Sequence, residues 1–482
     1  MIEHLQAIGL IGLLHIVLLA WTIPRILWIK RNPVVAITWV FGVLLTPIIG
    51  SICFFTLGDP ELRRPLRRLV QGPGLHIQEA PRPRPKAVQP GFRHLERMLG
   101  KLGETPTTFG NDARFFTEGD ELFEALRQDI ERAQHEICVQ YYIFRPDQAG
   151  RTALQLLRRK AQQGVRVYFL YDAVGASHLT GDLLDEARAA GVRHHAFLPM
   201  NLWRRRVQVN FRNHRKLVVI DRRVAYTGGF NVGMEYMGRT KRWRHWFDAH
   251  TRLEGPTAEQ LFEAFAADWD FACEDECDLI DMRPPWHKGT APPHDPDDTT
   301  RGWVQTVTSG PDQHINRMKQ VLFFAATRAR ERLWIASPYL VPDESLLTAI
   351  TSAALSGVDV RLLTQNDKPD QWLPWLAMRY YWHDLVGAGA RVHQYQPGMM
   401  HAKMIVVDER FASIGSTNLD VRSTALNFEA NVIFYSRHER EAVARIFEHA
   451  FAKSREVGPR ELEERLSLRV LENIARLATP LL

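Results

Sequence analysis

The 482-residue chain is 45% hydrophobic and 24% charged, the balance of a globular protein with a sizeable core rather than a disordered one. A net charge of +6, with arginines clustered at Arg63-Arg64, Arg67-Arg68 and Arg204-Arg205-Arg206, suits an anionic partner such as nucleic acid or lipid headgroups, or a solvated basic face. Four cysteines exclude a disulfide-dependent secreted scaffold. Cys53 and Cys138 read as small buried apolar residues, and Cys273-Glu-Asp-Glu-Cys277 as an ordinary acidic loop rather than a metal or disulfide site.

Residues 5–24 carry no formal charge and only His15 as a titratable group, and residues 34–57 carry no charge at all. Each run is long enough to cross a hydrocarbon core of about 30 Å as a helix, so residues 1–60 are expected to form a membrane hairpin. Glu3 and His4 at the start, and a second run directly after the first, argue against a cleaved signal peptide. Arg25, Lys30 and Arg31 between the runs nearly balance the four arginines after them, so charge barely orients the pair. Residues 61–105 are rich in Pro and Arg and read as a stiff linker.

From residue 106 strand and helix patterns alternate, which predicts an α/β fold. In the first half, to residue 283, these are a helix at 119–127, a strand at 136–144, an amphipathic stretch at 152–163, a strand at 164–172 and a strand start at 190–194. The second half, 302–482, repeats the order with 332–341, 346–356, 357–364 and 388–392. Residues 284–301, rich in Pro, Asp, Thr and Gly, are the expected joint.

Each half carries the same device. His214, Lys216 and Asp221 are followed by Gly228-Gly229-Phe230-Asn231, and His401, Lys403 and Asp408 by Gly415-Ser416-Thr417-Asn418. His to Lys is two residues, His to Asp seven and His to Asn seventeen in both copies. One such pattern is weak, but two with the same downstream spacing are not chance. The short runs after each lysine, Leu217-Val-Val-Ile220 and Met404-Ile-Val-Val407, read as buried strands, which puts each His and Lys on one face. Two lysines and two asparagines around two histidines suit the oxygens of a phosphoryl group in transfer. One imidazole can attack phosphorus while the other protonates the leaving oxygen, without a metal or other cofactor. A nucleophilic imidazole needs its second nitrogen held by a carboxylate, and Asp248 and Glu429 are the candidates. Asp221 and Asp408 belong to the catalytic motifs, though at the strand ends they read more readily as holding local backbone or basic partners.

The paired His-x-Lys-x4-Asp motifs resemble those of the phospholipase D superfamily. The surrounding segments are similar to bacterial cardiolipin synthases with two N-terminal membrane spans. These segments are Asn213 to Asp221, Ser337-Pro-Tyr-Leu-Val-Pro-Asp-Glu344, Pro397 to Lys403, Asn418-Leu-Asp-Val-Arg-Ser423, Leu426-Asn-Phe-Glu429 and the tail from Leu471 to Leu482. The resemblance implies two tandem repeats, each a mixed sheet flanked by helices, sharing one active site. It implies conversion of two phosphatidylglycerol molecules to cardiolipin and glycerol at a bacterial inner membrane, with the catalytic part in the cytoplasm and no nucleic acid involved. In that reading His214 is the nucleophile and His401 the acid and base. Lys216, Lys403, Asn231 and Asn418 hold the phosphate, and Asp248 and Glu429 orient the histidines. Gly229 stands where many members have serine, which removes one hydroxyl from that half. Trp203, Trp243 and Trp246, beside basic residues, are candidates to dip toward headgroups. A hydrolase using water shares the first half-reaction, so the motifs alone leave it open; a nuclease and a non-catalytic membrane scaffold are the remaining readings.

Overall fold

The computed structural model describes residues 2–30, 33–58, 90–199, 210–273, 302–313, 315–462 and 466–477. The expected linkers at 61–105 and 284–301 lie largely outside these, as does Trp203. The chain divides into two compact units, one of residues 1–63 with 199–211 and one of residues 64–198 with 212–482.

In the first unit the helix Ile2–Ile29, whose side chains are described from Leu13 on, packs against the helices Pro33–Leu45 and Pro47–Cys53. Ile26, Ala36, Val43 and Phe54 form its small core, and Thr22 donates to Ser51 across it at 3.1 Å. Most remaining apolar side chains point outward, including Trp21, Trp28 and Leu45. Among the described residues no helix is long and apolar enough to cross a membrane. The second apolar run departs from the expectation of one continuous span at 34–57. Pro47 has no N–H to continue the helical ladder, so the run splits at Thr46 and ends in a π-helical turn at Phe54–Gly58.

The second unit holds two sheets of matching order. The first runs Asp112–Phe116, His250–Glu254, Val224–Gly228, Leu217–Ile220, Glu136–Tyr141, Arg166–Asp172, Arg193–Phe197. The second runs Val304–Ser309, Asn427–Phe434, Phe411–Gly415, Met404–Val407, Arg332–Ala336, Asp359–Thr364, Arg391–Tyr395, with Ser454–Glu456 added at the edge. In each, one side is antiparallel and the other parallel, joined by crossover helices, as the alternating sequence pattern predicts. Equivalent helices start on Asp147 and Asp343, whose carboxylates accept from the amides of Gly150 and Leu346. One predicted strand is shorter than expected. Residues 332–341 give Arg332–Ala336 and a separate Leu340–Val341, because Pro338 has no donor for the ladder.

The apolar runs after the two lysines are the central strands of both sheets and are buried at every position. Burying each of these side chains contributes about 1.5–3 kcal/mol, which anchors the ends where His214 and His401 sit. Each strand then turns back through an aspartate in the left-handed region, Asp221 at φ 51° and Asp408 at φ 48°. Asp tolerates that conformation better than most residues because its short side chain bonds locally. Cys138 is buried as expected, whereas Cys273, at the end of the helix Thr257–Cys273, is disulfide-bonded, against the acidic-loop reading.

Candidate active site

Two short parallel ladders join the sheets, and they place the site. Arg212–Asn213, just before His214, pairs with Asn427–Phe428 of the other repeat. Met399–Met400, just before His401, pairs with Trp246–Phe247. The amide of His214 donates to the Phe428 carbonyl at 2.9 Å, and that of His401 to the Phe247 carbonyl at 2.7 Å. The next residues on the partner strands are Glu429 and Asp248. Each carboxylate is therefore delivered to the histidine of the opposite repeat. Nδ1 of His214 lies 3.0 Å from both carboxylate oxygens of Glu429, and Nδ1 of His401 lies 2.6 Å from Oδ2 of Asp248.

Both carboxylates are fully buried and both histidine side chains are 10% exposed. Burial pushes the Glu429 and Asp248 carboxyls up, but the facing charges and hydrogen bonds of His214 with Lys216, and of Lys403 with His401, hold both below the usual carboxylate range. Burial lowers both imidazoles: His214 falls to about 4 despite Glu429, and His401 falls with Lys403 adding to the effect and Asp248 opposing it. Each resting pair is thus an ionised carboxylate accepting from the Nδ1–H of a neutral imidazole, which leaves Nε2 as the basic nitrogen. Lys403 Nζ also lies 3.0 Å from His401 Nδ1. The shorter contact to an anion decides in favour of Asp248.

Lys216 donates to the carbonyl of His214 at 2.7 Å, and Lys403 donates to that of His401. Burial lowers both, Lys216 to about 7 and Lys403 to about 8, while Glu429 and Asp248 act on each in the opposite sense. The charge of Lys403 reaches His214 and Lys216, so the two sets share one electrostatic environment. A site of this kind offers two carboxylate-oriented imidazoles and two cations to one anionic group.

A family model described as "Cardiolipin synthase, PLD-like domain" matches residues 126–269 and 324–451. A cardiolipin synthase of Geobacillus kaustophilus is 36% identical over 94% of this chain and 90% of its own length. The chain belongs to the cardiolipin synthase family. Cardiolipin synthase A of Pseudomonas fluorescens is 34% identical over 98% of both chains. The fold of a phosphatidylserine synthase from Haemophilus influenzae covers 81% of the chain at a TM-score of 0.59 and 15% identity.

Within this cardiolipin synthase fold, the other expected site residues fall in different places. Asp221 accepts from the amides of Gln134, His135 and Glu136 at 2.8–2.9 Å, and Asp408 from those of Arg330, Glu331 and Arg332 at 2.8–3.1 Å. Both therefore tie the strand turn to the preceding helix-to-strand junction, the local backbone role that their place at the strand ends suggests. Asn231 and Asn418 are buried, and Asn231 Oδ1 accepts from the Ile143 amide at 3.2 Å. Trp243 and Trp246 are core residues, with Trp246 against Tyr236 and His401, which overturns the expectation that they face headgroups.

The glycine at 229 has a steric cause. A Cβ there would stand 1.9 Å from Asp248 Oδ1, so the carboxylate occupies the space a serine needs. In the other repeat Ser416 has room and donates to Glu429 Oε2 at 2.5 Å. The short Asp with Gly and the long Glu with Ser are two solutions to one spacing.

Sequence reasoning also missed Arg215, which lies between His214 and Lys216. Its guanidinium is buried, pairs with both oxygens of Asp268 at 2.8 Å and donates to the Glu429 carbonyl at 3.1 Å, bracing the strand that carries Glu429. Tyr142, with its ring 5.0 Å from that of His214, is a second neighbour without a sequence signal. The arginine at 215, where the other copy has Ala402, is the signal that would have found it; Tyr142 had none.

Proposed function

We propose that the chain transfers a phosphatidyl group between two phosphatidylglycerol molecules, giving cardiolipin and glycerol. The observation that carries this is the crossed pair of His–carboxylate contacts, which makes one two-histidine site from both repeats. Nε2 of His214 attacks the phosphorus of the first lipid while the P–O bond to its terminal glycerol breaks. His401, protonated at Nε2 when the anionic lipid binds, gives that proton to the departing glycerol oxygen. In the second step His401 takes the proton of the second lipid's terminal hydroxyl, that oxygen attacks phosphorus, and the P–N bond to His214 breaks. Atoms and protons balance over the cycle, and both imidazoles return to their starting states.

The assignment of roles follows from the difference between the pairs. His214 stays neutral down to about pH 4, as a nucleophile needs, and the shorter carboxylate contact of His401 better supports an imidazolium. Lys216, Lys403, Asn231 and Asn418 bind the phosphoryl oxygens, and Glu429 and Asp248 set the imidazole tautomers. The arriving phosphodiester adds negative charge beside the lysines and His401, which favours their protonated forms.

The outward apolar side chains of the N-terminal unit support attachment to a membrane, with the catalytic unit on the cytoplasmic side of a bacterial inner membrane. Protease protection in inverted vesicles tests the side: the catalytic unit is expected to be cleaved there and protected in intact spheroplasts. For the reaction, labelled phosphatidylglycerol alone is the deciding substrate. Cardiolipin with free glycerol is the expected product; phosphatidic acid without cardiolipin would show a hydrolase. Label from the lipid phosphate trapped on His401 rather than His214, as an acid-labile phosphoramidate, would reverse the roles.

A further inference from the structure

The helix Leu466–Leu477 packs on the helix Trp372–Gly387 with an apolar face turned outward. Its inner side brings Ala475 and Glu472 into the protein, where Glu472 meets Arg379 at 2.8 Å. Its outer side carries Val470, Leu471, Ile474 and Leu477, exposed by 50–74%. These four fall on one arc of the helix, while Arg469 and Arg476 lie along one border of that arc. Trp372 and Leu373, at the start of the partner helix, are also exposed. The catalytic unit exposes nine large hydrophobic side chains among its described residues, and six of them belong to these two helices. The other three, Ile315, Phe323 and Leu355, are on other segments. A stable water-soluble surface does not usually collect its apolar groups this way.

The patch is connected to the active site. Tyr339 donates to Asp370 at 2.5 Å, and Asp370 lies close enough for its charge to act on His401 and Lys403. Two residues on, Trp372 packs edge-on against Trp375, Trp375 lies under Arg379, and Arg379 holds Glu472 of the outer helix. Basic residues border this path: Arg242 donates to the carbonyls of Pro369 and Asp370 at 3.0 and 3.3 Å, and Lys241, Arg244 and Lys368 are exposed nearby in sequence. An apolar arc with cations at its edge, on a helix tied through Glu472, Arg379 and Trp375 to the segment beside a site that takes an anionic lipid, matches one partner, a bilayer surface carrying anionic headgroups.

We propose that the outer face of the helix Leu466–Leu477, with Trp372 and Leu373, lies in the headgroup–acyl boundary of an anionic bilayer and holds the rim of the active site against its substrate. The proposal rests on the lipid-transfer reading and adds a second membrane contact to the N-terminal unit. It acts on access of lipid to the site, not on the chemical step.

The test uses the full chain in phosphatidylglycerol-containing vesicles, with Ile474 replaced by the photo-crosslinker p-benzoylphenylalanine. Irradiation is expected to add the mass of one phospholipid, and more so as the anionic fraction rises. A doubled protein mass would mean that a second copy covers the face, and no adduct would mean that it stays in water; either overturns the proposal. In parallel, Leu471→Ser and Ile474→Asp should raise KM for vesicle lipid about tenfold and leave kcat within twofold. The same variants should be unchanged toward short-chain phosphatidylglycerol below its micelle concentration. A KM unchanged in vesicles also overturns it. Cardiolipin formation by the unirradiated crosslinker variant is measured separately, so failure of the lipid-transfer reading is distinguishable from failure of the docking face.

Discussion

Gly229→Ser restores the residue that the other repeat carries at the equivalent position, and the structure predicts that it is damaging. The new Cβ would lie 1.9 Å from Oδ1, 2.6 Å from Cγ and 2.8 Å from Oδ2 of Asp248. Ordinary contact needs about 3.5 Å, so the carboxylate has to retreat by roughly 1.5 Å. The strand cannot yield instead, because the Gly229 amide is bonded to the Ala249 carbonyl at 2.8 Å, directly beside Asp248. Retreat breaks the 2.6 Å contact to His401, a charge-assisted bond contributing about 1.5–3 kcal/mol, and releases the ring from its tautomer. Misplacing a catalytic group by about 1 Å costs roughly 10²-fold in rate. The expected result is kcat for cardiolipin formation lowered about 100-fold, with a lower Tm. The reciprocal Ser416→Gly removes one donor from Glu429 without a clash, and about tenfold is expected from a bond worth about 1.4 kcal/mol. Steady-state rates on phosphatidylglycerol vesicles and thermal melts of the three proteins decide it. Gly229→Ser with kcat within threefold of the parent would refute the steric account.

Three further outcomes are expected. Glu429→Gln and Asp248→Asn keep the shape but present an amide to Nδ1, which favours the wrong tautomer; kcat should fall about 10³–10⁴-fold with the fold intact by circular dichroism. Asp221→Ala leaves three amides unpaired and puts alanine at φ 51°, so a loss of about 2–4 kcal/mol is expected in urea unfolding, with kcat of the folded fraction unchanged within threefold. The buried lysines titrate near 7 and 8, below their unfolded value, so kcat/KM should decline as pH rises through that window and the phosphate-binding charge is lost. Stability moves the other way. The unfolded chain binds the extra protons between those values and about 10.4, so unfolding free energy rises with pH there; a kcat/KM flat to pH 9 would contradict the lysine assignment.

Much of this protein is written locally. Period-two and helical patterns mark the strands and helices of both repeats because burial on one face selects those periods. The two His-x-Lys-x4-Asp copies are legible for the same reason: an apolar strand fixes which way its neighbouring side chains point. Tertiary structure decided the rest. That Glu429, 215 residues from His214, serves it rather than Asp248 follows from two parallel ladders that cross between repeats, and no local pattern specifies a strand's distant partner. The break at Pro47 is written in the sequence only as a single residue, because apolar composition carries no trace of the backbone donor that proline lacks. Trp243 and Trp246 stand beside arginines in sequence, yet Trp246 packs on Trp243 and is itself covered by Tyr236 and by His401 of the other repeat. The chain by itself determined the chemistry it carries; only the packing of one repeat on the other decided which carboxylate orients which histidine, because that depends on where strands end in space rather than on their order.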